Sequence, residues 1–339
     1  MRLSDVRFLQ IEPTSYCNAR CPHCPRFDSN GELHPDLTLS HFDINQIINN
    51  LELHKLTALE HVQIEGDKGD PLMHPKIMQL VDAFCSISNP PVVELVTNGS
   101  IRNVAWWRDL ANKNYPTLRV NFSIDGLQDT NHLYRVGLDY DTIIANVQAF
   151  VNAGGQAIWK MLVFKHNEHQ VNQVQALAKQ IGIAEFRCFH SDKSRFQDQA
   201  RWPVTVDGVT HYIEPAEKNY NIIVGAQITS RVNMTMTNNH VCPNLNNGHL
   251  YINHQGYIVP CCMMHFDTEL NYPGKSELLQ LSQGIDQQSI NLHTLEKILT
   301  HAPFFTHTLE QSFKDNKFHP TCAKSCTPQI LHNLKKYET

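Results

Sequence analysis

Cys17-Asn-Ala-Arg-Cys21-Pro-His-Cys24 puts three thiols within eight residues. A loop this short can wrap three sulfurs around one corner of a metal cluster, and soft thiolates suit iron–sulfur clusters and zinc alike. Structural zinc takes four protein ligands, and no fourth cysteine lies nearby in the sequence. His23 could close a zinc site, although its place between Cys21 and Cys24 makes the wrapping awkward. Three cysteines on a four-iron cluster leave one iron open to a small molecule. A second set lies far along the chain: Cys242, then Gly256 and the pair Cys261-Cys262, then Cys322 and Cys326. Cys242, Cys261, Cys322 and Cys326 supply four thiolates, enough for a closed iron–sulfur cluster or a four-cysteine zinc site, with Cys262 the alternative to Cys261. Cys85 reads as a small buried hydrophobe. Cys188 reads the same way unless it faces the interior of the sheet, where its S–H could serve as a hydrogen-atom donor.

The elements that must position these residues follow from periodicity. Short β-rich runs at Arg7–Ile11, His61–Glu65, Val92–Thr97, Leu118–Ile124, Ile158–Phe164 and Ala184–Phe189 alternate with segments of helical spacing, among them Phe42–Leu56, Pro75–Ser86, Tyr140–Ala153 and Gln170–Gln180. Six βα units imply a parallel sheet with right-handed crossovers and an α/β fold, a partial (β/α)6 TIM-like barrel with its chemistry at the strand C-termini. The first strand runs into the cysteine loop, the second into Glu65-Gly66-Asp67-Lys68-Gly69-Asp70-Pro71, the third into Thr97-Asn98-Gly99 and the fourth into Ser123-Ile124-Asp125-Gly126. Glycines in the second loop let the backbone approach a ligand closely. Residues 191–241 are polar and irregular, a connector with little core of its own. Residues 249–260 read as a hairpin around His254-Gln255-Gly256, followed by a helix near Leu292–Leu299. The expected division is therefore 1–190 barrel, 191–241 connector and 242–339 a small hairpin-plus-helix domain.

The C-x3-C-x2-C spacing after the first strand of a six-unit βα pattern resembles the radical S-adenosylmethionine (radical SAM) enzymes. The resemblance implies a 4Fe–4S cluster on Cys17, Cys21 and Cys24, with S-adenosylmethionine chelating the fourth iron. It puts His23 near the adenine. Gly69 and Asp70 stand where the family's Gly-Gly-Glu-Pro segment binds the SAM ammonium, with Lys68 in place of a glycine and Asp70 in place of glutamate. Ser123 and Asp125 become partners for ribose or carboxylate, and Asn98 a third-strand contact. Their plainer reading is turn formation and N-capping. Asn167 is a polar position after the fifth strand. Arg135 could meet a carboxylate, although a solvated arginine is the plainer reading. The Cys242–Gly256–Cys261 spacing resembles the SPASM and twitch extensions. With cysteines for one auxiliary 4Fe–4S cluster, the shorter twitch type fits.

The implied activity is reductive cleavage of S-adenosylmethionine to a 5′-deoxyadenosyl radical and hydrogen abstraction from an unactivated C–H. The net result would be an oxidation or cross-link on a peptide or protein side chain, as in maturase-type oxidoreductases, with the auxiliary cluster accepting the electron. A small sugar-like or nucleotide metabolite is the alternative substrate. A non-catalytic iron–sulfur electron carrier or zinc-stabilised interaction module is the alternative of another class. Expected partners are a reductant such as flavodoxin or ferredoxin and a precursor peptide, the peptide needing a separate recognition protein or direct docking on the 191–241 connector because the first strand begins too early for an N-terminal recognition domain. Twenty-eight basic against thirty-three acidic residues among 339 give a net charge of −5, no footprint for nucleic acid or an anionic membrane. No apolar run spans a bilayer and no signal region opens the chain, so the expected location is cytoplasmic.

Overall fold

The computed structural model describes residues 1–22, 24–28, 31–191, 201–206, 208–225, 242–264 and 275–315, together with 317, 319 and 322. Six parallel strands follow the expected order: β1 (Phe8–Ile11), β2 (His61–Ile64), β3 (Val92–Thr97), β4 (Leu118–Ser123), β5 (Ala157–Val163) and β6 (Glu185–His190). Between them run α1 (Ile44–Leu51), α2 (Ile77–Cys85), α3 (Val104–Asn112), α4 (Gln128–Tyr134), α5 (Tyr140–Asn152) and α6 (Val171–Ile181). Side-chain caps start several helices. Asp43 accepts from the Asn45 amide at 3.0 Å to begin α1, and Asp139 accepts from the Thr142 amide at 3.0 Å to begin α5.

The two sheet faces differ in chemistry. Leu9, Ile11, Val62, Val93, Leu95, Val120, Phe122, Trp159 and Met161 lie on the outer face, buried under the helices. There Trp107 of α3 meets Phe122 and Phe150 with ring centroids 5.1 and 5.9 Å apart. Cys188 pairs in register with Met161 on this outer face, so it packs in the core and is not a hydrogen donor to the lumen. The opposite face carries Gln10, Gln63, Glu65, Glu94, Asn121, Lys160 and Arg187. Interiors of parallel barrels are ordinarily filled by branched apolar side chains; this lumen is polar.

The connector holds more order than its composition suggests. β7 (Trp202–Val206) and β8 (Val209–Ile213) form a hairpin whose Val204 and Ile213 pack against Tyr134 and Phe164. β9 (Asn221–Gly225) pairs antiparallel with β6 and extends the main sheet. Beyond it, α7 (Pro243–Asn246) leads into the expected hairpin, β10 (His249–Ile252) and β11 (Ile258–Val259). That hairpin is not separate from the barrel. β10 lies parallel to β1, Leu9 opposite Leu250, giving a nine-stranded sheet of order β11-β10-β1-β2-β3-β4-β5-β6-β9. Gly248 makes the entry possible: its φ is +72°, and a Cβ there would lie 2.1 Å from the Asp5 carbonyl oxygen.

Candidate functional site

β1 runs out into Glu12, and the chain turns into the cysteine loop under close control. Thr14 Oγ1 donates to the Ser40 carbonyl at 3.1 Å, and Ser15 Oγ donates to the Thr38 carbonyl at 2.8 Å. The Asp70 amide donates to the Tyr16 carbonyl at 2.8 Å and the Arg20 amide to the Val136 carbonyl at 2.9 Å. The loops after β2 and α4 therefore clasp the cysteine loop from both sides.

Cys17, Cys21 and Cys24 are half-buried, and each thiol lies within electrostatic reach of a neighbour in the set. Burial pushes Cys17 up to about 11 and Cys24 up to about 12. Burial also raises Cys21, with the Arg135 guanidinium pulling the other way. The three are thiols at neutral pH, and loading a metal must displace their protons. Donors surround the sulfurs: Cys17 Sγ accepts from the Ala19 amide at 3.4 Å and from Asn98 Nδ2 at 3.9 Å, and Cys21 Sγ from Arg135 Nη1 at 3.7 Å. Among the described residues no three His, Cys, Asp or Glu side chains converge as one metal ion requires. A cluster takes one thiolate per iron, so its ligands stand apart, and a three-thiol loop with N–H donors aimed at sulfur fits it. His23 lies outside the described residues.

The second loop packs against the first. A Cβ on Gly69 would lie 1.9 Å from the Thr14 carbonyl oxygen, so only glycine allows this approach. The Asp70 carboxylate, buried and raised from its ordinary value chiefly by that burial, accepts from the Leu72 amide at 3.0 Å, Thr97 Oγ1 at 3.0 Å and the Asn98 amide at 2.8 Å. It thereby ties the β2 and β3 loops together. Asn98 spans to Asn18, donating at 2.9 Å. The Ser123 hydroxyl has no hydrogen bond among the described residues and stands at the rim beside this group. Asp125 is fully buried; its Oδ1 accepts from the Leu162 amide at 2.6 Å and its Oδ2 from Arg135 Nε at 2.6 Å. Neither Ser123 nor Asp125 caps α4, whose N-cap is Leu127. Asn167 is a brace, accepting from the Phe164 amide at 2.8 Å and donating to the Asp125 carbonyl at 2.9 Å.

Arg135 takes the less expected of its two readings: its side chain is 15% exposed, ion-paired with the Asp125 carboxylate and set against a cysteine sulfur. The lumen residues were also missed, although a signal existed. Gln10-x-Glu12 and Gln63-x-Glu65 alternate polar residues within strands that a doubly covered sheet would make apolar throughout. Beneath the rim, Gln10 donates to Glu65, Asn121 Nδ2 donates to Glu94 at 2.7 Å, and Arg187 pairs with both Glu94 and Glu185. Burial raises Glu65 to about 7, with Glu12 and Glu94 adding to it and Lys160 opposing.

In the second set, Cys242 and Cys322 are buried, and Cys261 and Cys262 pack against the same core. Cys242 precedes α7 and Cys261 follows β11, so the two flank the hairpin. Cys262 is raised chiefly by burial, with the charges of Asp67, Cys261 and Glu65 adding to it. Cys326 lies outside the described residues. Glu12 joins the two regions: its buried carboxylate accepts from the Lys68 amide at 2.6 Å and the Tyr251 hydroxyl at 3.2 Å, with His254 Nδ1 at 3.3 Å.

Strand order, rim and cysteine loop define a partial-barrel protein with a three-thiol loop at its C-terminal face. Residues 11–178 match the Radical SAM superfamily, and that domain of the chain belongs to it. A 147-residue stretch is 25% identical to GTP 3′,8-cyclase of Microcystis aeruginosa, covering 42% of this chain and 40% of that protein, so the chain spans less than half of that relative's length. Streptococcus suis SuiB bound to precursor peptide SuiA is similar over 89% of this chain and 66% of its own, with TM-score 0.58 and 15% identity. The structure of anSMEcpe with bound AdoMet and Cp18Cys peptide is similar over 94% and 85%, with TM-score 0.54 and 14% identity. At these identities the likeness is one of fold. Membership in the superfamily implies a 4Fe–4S cluster and S-adenosylmethionine. No helix among the described residues is long and apolar enough to cross a membrane.

Proposed function

We propose that this chain holds the 4Fe–4S cluster on Cys17, Cys21 and Cys24 and abstracts hydrogen from a peptide or protein side chain held at the lumen mouth. The observation carrying this is the three-thiol loop clasped between the 66–70 and 135–137 loops directly above a polar lumen. When bound, the cluster and S-adenosylmethionine together supply a 5′-deoxyadenosyl radical. Gly69 lets the 66–70 loop close on the cysteine loop where the ligand's amino end would bind, Asp70 fixes the two loops that flank it, and Asn98, Ser123 and Asp125 line the rim. The barrel walls exclude water and hold the substrate C–H in place. Glu65 and Lys160, on the same lumen face and within electrostatic reach of each other, orient polar groups of the substrate. Cys242, Cys261, Cys322 and Cys326 hold an auxiliary cluster that accepts the substrate's electron, which makes the reaction a net oxidation or cross-link in a twitch-like 242–339 domain. The precursor peptide and Cp18Cys peptide bound by the two structural relatives support a peptide substrate. The cyclase relative and the polar lumen favour a nucleotide as the second reading.

The test is 5′-deoxyadenosine formation from S-adenosylmethionine by anaerobically reconstituted protein with dithionite, beside a variant with Cys17, Cys21 and Cys24 all changed to Ala. Product from the parent alone supports the assignment. Equal product from both, or a parent that binds iron yet shows no response to S-adenosylmethionine in its EPR signal, overturns it.

A further inference from the structure

Arg135 sits at the C-terminal end of α4, its amide donating to the Asn131 carbonyl at 2.8 Å. Its guanidinium is held from two sides. Nε donates to Asp125 Oδ2 at 2.6 Å, and the Tyr134 ring lies 5.5 Å from Cζ. Asp125 is itself immobilised, fully buried with Oδ1 on the Leu162 amide at 2.6 Å. This leaves the fork aimed in one direction, and Nη1 reaches Cys21 Sγ at 3.7 Å. The neighbouring backbone fixes the distance, because the Arg20 amide donates to the Val136 carbonyl at 2.9 Å. The other donors differ in kind. Those on Cys17 are neutral, an amide N–H and the Asn98 amide group. Arg26, the other buried arginine of the loop, directs Nη1 to the Ala19 carbonyl at 3.3 Å.

We propose that Arg135 is a positioning residue that sets the reduction potential of the cluster through a charged N–H···S contact to Cys21, with Asp125 aiming it. This rests on Cys17, Cys21 and Cys24 being the cluster ligands. One-electron reduction adds negative charge to the iron–sulfur core and its thiolates. A cationic donor on a ligand sulfur binds that reduced form more tightly than the oxidised one and raises the potential. Asp125 cancels Arg135's net charge at long range, so the effect is directional and belongs to the contact itself.

The experiment is a redox titration of the full-length, anaerobically reconstituted protein, followed by the EPR signal of the reduced cluster, without S-adenosylmethionine. In Arg135→Gln the ratio of reduced to oxidised cluster at a fixed poise is expected to fall about tenfold, a midpoint about 59 mV more negative for a one-electron couple. Arg135→Lys, which keeps the charge but cannot reach both Asp125 and Cys21, should recover part of the shift. Arg135→Gln alone leaves Asp125 buried without its partner, so the pair Asp125→Asn with Arg135→Gln is the variant that folds without an orphan charge. It should show the same negative shift. Midpoints equal to the parent in both variants, with iron content intact, overturn the role of Arg135 while leaving the cluster assignment standing. A parent that loads no 4Fe–4S cluster overturns both.

Discussion

Replacing Glu65 with Gln tests the electrostatics of the lumen without any cofactor. The Glu65 carboxyl rises from an ordinary 4.5 to about 7, burial being the largest cause and the Glu12 and Glu94 charges adding to it. The folded chain therefore binds more protons here than the unfolded chain between pH 4.5 and 7, so this group lowers stability as pH rises through that window. Below it both states are protonated and the contribution vanishes. Above it the whole penalty is present, about 3 kcal/mol at 1.36 kcal/mol per tenfold change in proton affinity. Glu65→Gln removes the charge and nearly keeps the shape. The amide of Gln10 can turn to meet the new donor, since Gln10 Oε1 is buried without a partner. Urea unfolding of parent and variant at pH 5 and pH 8 reads the difference. The variant's advantage should widen by about 2 to 3 kcal/mol between those pH values. A gap that stays constant, or narrows toward pH 8, would refute a buried, disfavoured carboxylate at this position.

Three further substitutions probe the frame around the site. Gly69→Ala places a methyl 1.9 Å from the Thr14 carbonyl oxygen, so the 66–70 loop must move away. S-adenosylmethionine binding by the reconstituted protein, read by equilibrium dialysis, should weaken at least tenfold. Asn167→Ala strands the Phe164 amide and the Asp125 and Leu162 carbonyls, and at about 1–3 kcal/mol per buried group should lower unfolding free energy in urea by roughly 3 kcal/mol or more. Tyr251→Phe removes one donor from the buried Glu12 carboxylate while the Lys68 amide remains, and the same assay should show a loss of about 1 to 2 kcal/mol.

The six barrel strands were legible because each carries a dense β-branched and aromatic run between helical repeats, and the structure places all six within a residue or two of expectation. The cysteine loop was legible for a local reason too, since three thiols in eight residues need no tertiary knowledge to be seen. What resisted reading was everything set by distant partners. Arg135 looks like any surface arginine until Asp125 and Leu162 close around it. The pairing of His249–Ile252 with Phe8–Ile11 joins residues about 240 positions apart, and hydrophobic periodicity carries no information on which edge a strand will choose. β7, β8 and β9 were hidden because Trp202–Val206 holds a proline and because Val209, Tyr212 and Val224 are exposed, so the strands do not alternate cleanly between apolar and polar. Asp70 and Asn167 share one lesson. Their residue types suggested ligand contact, whereas their hydrogen bonds show them holding loops in place.

The parallel pairing of β1 with β10 also sets the order of events during synthesis. β1 lies between β2 and β10. Its partner on one side is finished at Ile64, whereas the partner on the other ends at Ile252. At roughly 5–20 residues per second, a ribosome needs on the order of 10 to 40 s to cover that interval. Throughout it Leu9 and Ile11 stand on a strand with open N–H and C=O groups along one side, a template for pairing with another nascent chain. The chain is therefore most exposed to misassembly while its first strand waits for its last neighbours. Expression at lower temperature or with a holding chaperone should raise soluble yield chiefly by protecting that interval.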